Sequence, residues 1–179
     1  MRKLCALGII LLSLAAAIGQ VNVSSLQGSD KAKTEAAKPD FSGTWLRDNA
    51  KSSGLQGALA SAELTMIIVH HDPEIKITRS VKFNDQQMAQ ELTYYTDHRG
   101  ETNPATFGSG DLKSKTKWTK NKIESHASWS RTSLSGDVSN YDTTEKWELG
   151  PDGKTLTDTA DISTPTEVRT LKQVFNRVS

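Results

Sequence analysis

Hydrophobic and polar residues alternate along most of the chain from residue 40 onward. In the segment 75–83, Ile75, Ile77, Val81 and Phe83 share one parity, and most of the other positions are lysine, serine or threonine. A period of two is the pattern of a β-strand with one buried face. Turn sequences rich in Gly, Pro, Asn and Asp separate the alternating runs, so the pattern predicts an all-β protein.

The alternating runs predict nine strands, at residues 41–47, 64–71, 75–83, 88–96, 112–119, 122–131, 141–149, 155–163 and 167–178. A further short strand near Thr106 and Phe107 would make ten. Hairpins in succession, joined by short turns, favour an up-and-down meander over a Greek key, whose returning strand needs a long connection. We therefore predict an antiparallel up-and-down β-barrel of 8–10 strands. At most a short helix, within 55–64, lies between the first two strands.

The first 19 residues have the layout of a secretory signal peptide. Arg2 and Lys3 precede an apolar run at 4–18, and Ala15, Ala17 and Gly19 supply small residues at and just beyond its end. The run is shorter than the roughly 20 apolar residues that a membrane-spanning helix needs. We expect cleavage near Ala17 or after Gly19, no integral membrane segment afterwards, and a secreted or periplasmic protein.

Residues 20–39 are small, polar and charged, with no period that would bury a face, and they predict a disordered leader. The barrel domain is expected to span 40–179. Cys5, the only cysteine, lies inside the signal segment. The mature chain would then contain no disulfide, no catalytic cysteine and no thiolate metal site.

The charge balance argues against nucleic acid as a partner. Removal of Arg2 and Lys3 lowers the 22 basic residues to 20, against 21 acidic ones, whereas nucleic-acid-binding domains usually carry a basic excess. Lys113, Lys115 and Lys117 alternate along one strand and are expected to form its solvated face.

The stretch Phe41-Ser42-Gly43-Thr44-Trp45 resembles the start of the first strand in lipocalins and, more closely, in intracellular fatty-acid-binding proteins. Segments 66–68, 75–78, 152–154 and 174–177 agree with that family in order. The resemblance implies a calycin β-barrel. It also implies that Trp45 is buried at the closed end with Arg177 packed over it. We expect a monomer.

Two departures from this family bear on the ligand. The segment 46–63 is about half as long as the family's helical hairpin between the first two strands. Gln173 and Phe175 stand where many members have the Arg and Tyr that hold a fatty-acid carboxylate. The chain also lacks the glycine-rich sequence that follows Trp in haem-binding barrels of the nitrobindin type. The resemblance therefore implies no cofactor and favours a neutral or weakly polar ligand over a free fatty acid.

Alternation identifies side chains that face the barrel interior. Trp118, Trp129 and Trp147 share the parity of their strands' apolar residues, and they either stack on a ligand or fill the barrel. Charged residues share the inward parity at Arg79, Arg131 and Glu145. Charges are rarely buried unless paired, so this set indicates a wet pocket, unless bulges shift the register and turn the side chains outward.

Catalytic and metal-binding patterns are weak. His70 and His71 are adjacent on a strand and point to opposite faces, which favours no metal site. Ser109 lacks the Gly-x-Ser-x-Gly setting of a hydrolase nucleophile. We therefore expect no catalytic residues and no enzyme, a hydrolase being the less favoured reading. The sequence predicts an exported carrier with a small apolar or lipid-like molecule inside the barrel. The alternative is a filled barrel that serves as a structural or protein-interaction module.

Overall fold

The computed structural model describes residues 37–105, 110–132, 135–164 and 166–178. The predicted signal peptide and most of the predicted leader lie outside the described residues. Where the described chain begins, the Lys38 ammonium donates to the Asp72 carboxylate at 3.1 Å and lies 5.2 Å from the centre of the Trp118 ring. Contact with the barrel therefore begins two residues before the boundary that the sequence predicts.

The fold is all-β, as predicted, and the described residues include a single turn of helix. Its elements are β1 (Gly43–Arg47), α1 (Ala58–Ser61), β2 (Glu63–His71), β3 (Glu74–Phe83), β4 (Gln86–Tyr95), β5 (Glu101–Pro104), β6 (Asp111–Thr119), β7 (Lys122–Thr132), β8 (Val138–Leu149), β9 (Thr155–Ser163) and β10 (Val168–Val178). Within the described ranges, no helix is long and apolar enough to cross a membrane.

The ten strands form one antiparallel sheet in the order β4-β3-β2-β1-β10-β9-β8-β7-β6-β5. Strands adjacent in sequence pair with each other except β4 and β5, which lie at the two ends of this order, and β1 also pairs with β10. The sheet curls into a nearly closed barrel, which confirms the predicted up-and-down architecture. A curled sheet of this kind leaves few exposed edges for pairing with other chains.

The short fifth strand is where the sequence reading was least accurate. β5 occupies Glu101–Pro104, whereas the short strand was expected near Thr106 and Phe107, which lie outside the described residues. The segment is polar and ends in proline, so it shows no apolar alternation. Only Asn103 within it is buried.

Side chains bridge the seam between β4 and β5. The Asn103 Oδ1 accepts the Thr93 backbone N–H at 2.7 Å, and its Nδ2 donates to the Thr93 carbonyl at 2.9 Å. The Gln90 Nε2 donates to the Pro104 carbonyl at 2.8 Å. Side-chain amides therefore supply, at this seam, hydrogen bonds of the kind that a backbone ladder makes elsewhere.

One end of the barrel is sealed around Trp45, which has no exposed surface. Its indole N–H donates to the Phe41 carbonyl at 3.0 Å. The Arg177 guanidinium carbon lies 4.4 Å from the centre of the Trp45 ring, and its Nη1 donates to the Ser42 carbonyl at 2.6 Å. Gly43 has φ 140°, and a Cβ there would lie 2.7 Å from the Arg177 Nη1. The Gly-Thr-Trp sequence thus places a glycine where both the backbone angle and the arginine exclude a side chain.

Candidate ligand-binding site

Burial of the inward side chains falls steadily from one end of the barrel to the other. On β3, Ile75 and Ile77 are buried, whereas Phe83 at the far end is 36% exposed. On β4, Leu92 is buried and Met88 is 56% exposed. These residues alternate on the inward parity, so their exposure shows that solvent reaches the interior face from the end that carries the β3–β4 turn.

Apolar and aromatic side chains line this open end. Trp129 and Tyr141 stack with ring centroids 4.1 Å apart and planes 10° from parallel, and both are half-buried. We call the set of inward apolar residues at this end the mouth; it consists of Val81, Phe83, Met88, Trp129 and Tyr141.

A band of polar side chains lies between the mouth and the sealed end. We call it the polar belt; its members are Arg47, Arg79, Tyr94, Glu101, Ser114, Thr116, Ser125, Glu145, Asp158 and Gln173. The ladders place them inward without a bulge: Arg79 pairs with buried Met66, and Glu145 pairs with buried Ser125. The alternative in which a register shift turns Arg79 and Glu145 outward is therefore wrong.

Arg47 connects the belt to α1. Its Nη2 donates to the carbonyls of Leu59 and Ala62, each at 2.6 Å, and its Nη1 donates to the Gln173 Oε1 at 3.2 Å. The Gln173 Nε2 in turn donates to the Asp158 Oδ2 at 3.3 Å. Burial lowers the pKa of Arg47. Gln173 stands at the position of the carboxylate anchor in fatty-acid-binding proteins. Here its side-chain amide is hydrogen-bonded to the Arg47 guanidinium and to the Asp158 carboxyl.

Asp158 is the most deeply buried acid of the belt, with 3% of its surface exposed. No donor among the described residues reaches its Oδ1. Burial raises the pKa of Asp158 well above its usual range, and the charge of Glu145 adds to this effect. The charge of Arg79 and the hydrogen bond from Gln173 oppose it. A hydrogen bond between Asp158 and Glu145 also raises the pKa, because two carboxyls can make it only if one is protonated.

The opposite wall of the belt is satisfied internally. The Glu101 Oε1 accepts from the Ser114 and Thr116 hydroxyls, each at 2.6 Å, and its Oε2 accepts the Tyr95 N–H at 3.3 Å. The Thr116 Oγ1 lies 2.9 Å from the Ser125 Oγ. Glu101 is therefore fully engaged by its neighbours.

Tyr94 lies where the two walls meet. Its ring packs edge-on against Trp147 at 4.9 Å. Burial raises the pKa of its phenol, as does the charge of Glu145, and the charge of Arg79 acts in the opposite direction. Asp158 and Glu101 add smaller effects. The buried phenol is thus within electrostatic reach of four belt charges on four different strands.

The three tryptophans predicted to face inward occupy separate places. Trp147 is buried in the core, and Trp129 lies at the mouth. Trp118 lies near the sealed end, 6.0 Å from the Phe41 ring, where its Nε1 donates to the Asp72 Oδ1 at 2.7 Å. The structure therefore does not assemble them into one aromatic cage.

The remaining candidates also separate. Phe175 is fully buried in the core beside Trp45. Arg131 pairs with Ser139 across β7 and β8, and its side chain lies outside the described part of the structure. Arg79 and Glu145 are half-buried belt members.

Sequence reasoning overlooked Arg47 and Asp158. Both carry the same signal that identified Arg79, because Asp158 alternates with Leu156 and Ala160, and Arg47 follows Trp45 by two residues. Applying the parity rule to every charged residue would have found them. Glu101 offered no such signal, because its strand lacks apolar alternation.

His70 lies on the inward parity of β2 near the sealed end, where its Nδ1 accepts the Phe41 N–H at 3.3 Å. Burial lowers its pKa. Nearby, burial alone would raise the pKa of Asp72, but hydrogen bonds from Thr96, Trp118 and Lys38 outweigh it and lower the pKa to about 2. Among the described residues, no three His, Cys, Asp or Glu side chains are placed to hold a metal ion.

Comparison with known structures supports the fold assignment. Zebrafish ileal bile acid-binding protein, complexed with cholic acid, superposes with a TM-score of 0.53 at 14% identity, over 77% of this chain and 98% of that one. A secretory abundant heat soluble protein from Ramazzottius varieornatus gives a TM-score of 0.52 at 13% identity, over 81% of this chain and 100% of that one. No protein-family model and no curated protein matches the sequence. The chain therefore has a calycin-like β-barrel fold, as its opening residues suggested.

Proposed function

We propose that the protein is an exported carrier that holds a small, largely apolar molecule inside its barrel. The observation that carries this proposal is the burial gradient: the interior face is sealed around Trp45 and solvent-accessible at the mouth. Small-molecule sites are typically concave and mostly apolar, with a few placed polar groups. The mouth supplies the apolar contacts, and the polar belt supplies the polar groups.

The fold is compatible with this role, because the zebrafish neighbour is a bile acid-binding protein with cholic acid bound. The chemistry of the belt argues against a fatty-acid anion. Gln173 is committed to Arg47 and Asp158, and Phe175 carries no polar group. A bound carboxylate would also face the carboxylate of Glu145, and like charges at close range in a poorly solvated interior repel strongly.

Binding is tested by titrating the protein with methyl decanoate and with decanoate while tryptophan emission is followed. We expect the ester to bind and the anion to bind more weakly. Met88→Asp at the mouth should weaken ester binding about tenfold, because about 1.4 kcal/mol of apolar contact is lost. Gln87→Asp is the matched control, since Gln87 immediately precedes Met88 on β4, faces outward and is exposed.

If the ester and the anion both fail to bind, the carrier role is wrong and the filled-barrel interaction module takes its place. If Met88→Asp and Gln87→Asp weaken ester binding equally, the ligand does not enter through the mouth.

A further inference from the structure

The described charges of the polar belt are unequally partnered. Two guanidiniums, Arg47 and Arg79, face three carboxyls, Glu101, Glu145 and Asp158. Arg47 is held by two backbone carbonyls and Gln173, and Glu101 is held by two hydroxyls and a backbone N–H. Among the described residues, the carboxyls of Glu145 and Asp158 have no comparable set of hydrogen-bond donors.

Asp158 presents a carboxyl oxygen that no N–H or hydroxyl group of the described residues reaches. The residue is 3% exposed, its Oδ2 accepts from Gln173, and no described donor reaches its Oδ1. A buried acceptor without a donor is destabilising. A proton on Asp158 relieves this cost, because protonated Asp158 can donate to Glu145.

A ligand that brings its own donor and positive charge would replace that proton. An ammonium group has three N–H donors and no acceptor, so it matches a belt in which the described carboxyls outnumber the described guanidiniums. Hydrogen bonds between a charged donor and a carboxylate are about twice as strong as those between neutral groups. A carboxylate ligand offers no donor, and an alcohol offers one donor without charge.

We propose that the belt binds the ammonium head of an amphipathic amine, with Asp158 as its counter-ion and Glu145 as a second acceptor. This inference rests on the proposed carrier function and names the class of ligand. The apolar tail extends from the belt toward the mouth, where Val81, Phe83 and Met88 line one wall and the Trp129–Tyr141 stack lines another.

Binding of the ammonium releases the proton of Asp158 to solvent. The groups facing Asp158 are Glu145 on β8, Gln173 on β10, Arg79 on β3 and Tyr94 on β4, with Arg47 and Glu101 further along the belt. Because the ammonium displaces a proton from Asp158, amine binding should strengthen as pH rises through the titration of Asp158. It should weaken again near the pKa of the amine, about 10.

The experiment compares decylamine, decanol and methyl decanoate by isothermal titration calorimetry at several pH values. We expect the amine to bind about tenfold more tightly than the alcohol at neutral pH. Asp158→Asn should remove that advantage of the amine over the alcohol. Asp161→Asn is the matched control, because Asp161 lies on the same strand at the outward parity and accepts from Thr170.

Equal binding of amine and alcohol, or an amine affinity unchanged in Asp158→Asn, would overturn the inference and leave the carrier function intact. Failure of all three probes would overturn the carrier function itself. If Asp158→Asn does not fold, the pH profile of the wild-type protein decides, since an amine affinity that stays flat with pH excludes exchange with a proton.

Discussion

Trp45 and Arg177 are paired across the β1–β10 ladder, but their side chains stabilise the barrel by different means. Trp45 is a fully buried ring, and replacing such a ring by alanine costs about 3–5 kcal/mol. Arg177 is largely exposed and contributes a cation–π contact of about 0.5–2 kcal/mol, together with hydrogen bonds to the Ser42 and Gly153 carbonyls. We expect Trp45→Ala to lower the free energy of unfolding more than Arg177→Ala, as measured by urea denaturation.

Trp45→Phe is the control for this comparison, because it keeps a ring in the sealed end and removes only part of its volume. It should unfold between the wild-type protein and Trp45→Ala. A Trp45→Ala protein as stable as the parent would show that the ring does not seal the barrel.

Because its pKa is raised in the folded protein, Asp158 should lower the free energy of unfolding as pH rises, whereas most acids in folded proteins have the opposite effect. Its pKa in the folded protein lies well above the ordinary 3.8, so the folded state binds more protons than the unfolded state above that value. Stability should therefore fall as pH rises above about 4, until the pKa of the folded state is passed. The loss amounts to about 1.4 kcal/mol for each unit by which the pKa is raised.

Asp158→Asn removes this titration. As pH rises from 4 to 8, the urea midpoint of the variant should therefore increase relative to that of the wild-type protein. Because acids elsewhere titrate in both proteins, the difference between the two curves isolates Asp158. Asp161→Asn should follow the wild-type curve, and a constant difference between Asp158→Asn and wild type would contradict the raised pKa.

At the scale of elements, Asn103 makes two of the hydrogen bonds that bridge the β4–β5 seam. Asn103→Ala would leave the Thr93 N–H and carbonyl without their partner in a buried setting, at a cost of about 1–3 kcal/mol. Hydrogen exchange of the Thr93 amide should accelerate in this variant. Asn140→Ala is the control, because the Asn140 amide accepts from Ser130 at the exposed surface and its loss should change stability little.

The sequence predicted those elements whose faces differ most in polarity. β3 and β9 were located to within a residue, because Ile75, Ile77, Leu156 and Ala160 alternate with polar positions. β5 was misplaced because its inward groups, Glu101 and Asn103, are polar and act through hydrogen bonds rather than apolar burial. Side-chain hydrogen bonds between two strands depend on which strand lies opposite. The alternation of polar and apolar residues within one strand therefore does not predict them.

The candidate site was predicted in part for the same reason. Parity alone placed Arg79 and Glu145 inward. The pairing of Asp158 with Glu145 required the β8–β9 register, in which Asp158 lies opposite Trp147 and diagonal to Glu145.

At the scale of the whole molecule, the first prediction concerns the N-terminal segment. If the chain is exported with cleavage, the protein from its producing cell should begin near Ile18 or Gln20 and contain no cysteine. Intact-mass measurement tests this, and a full-length product retained in the membrane would contradict export. A lipid adduct on Cys5 would show that the segment is an anchor instead.

The β1–β10 pairing also sets an order for assembly during synthesis. Until β10 has been made, β1–β4 and β5–β9 are separate meanders without a backbone ladder between them. Each then exposes an edge, at β1 and at β9, that another chain could occupy. Pairing of β10 with both edges at once turns two open ribbons into one barrel. The chain is therefore most vulnerable to aggregation while its last eleven-residue strand is still inside the ribosome.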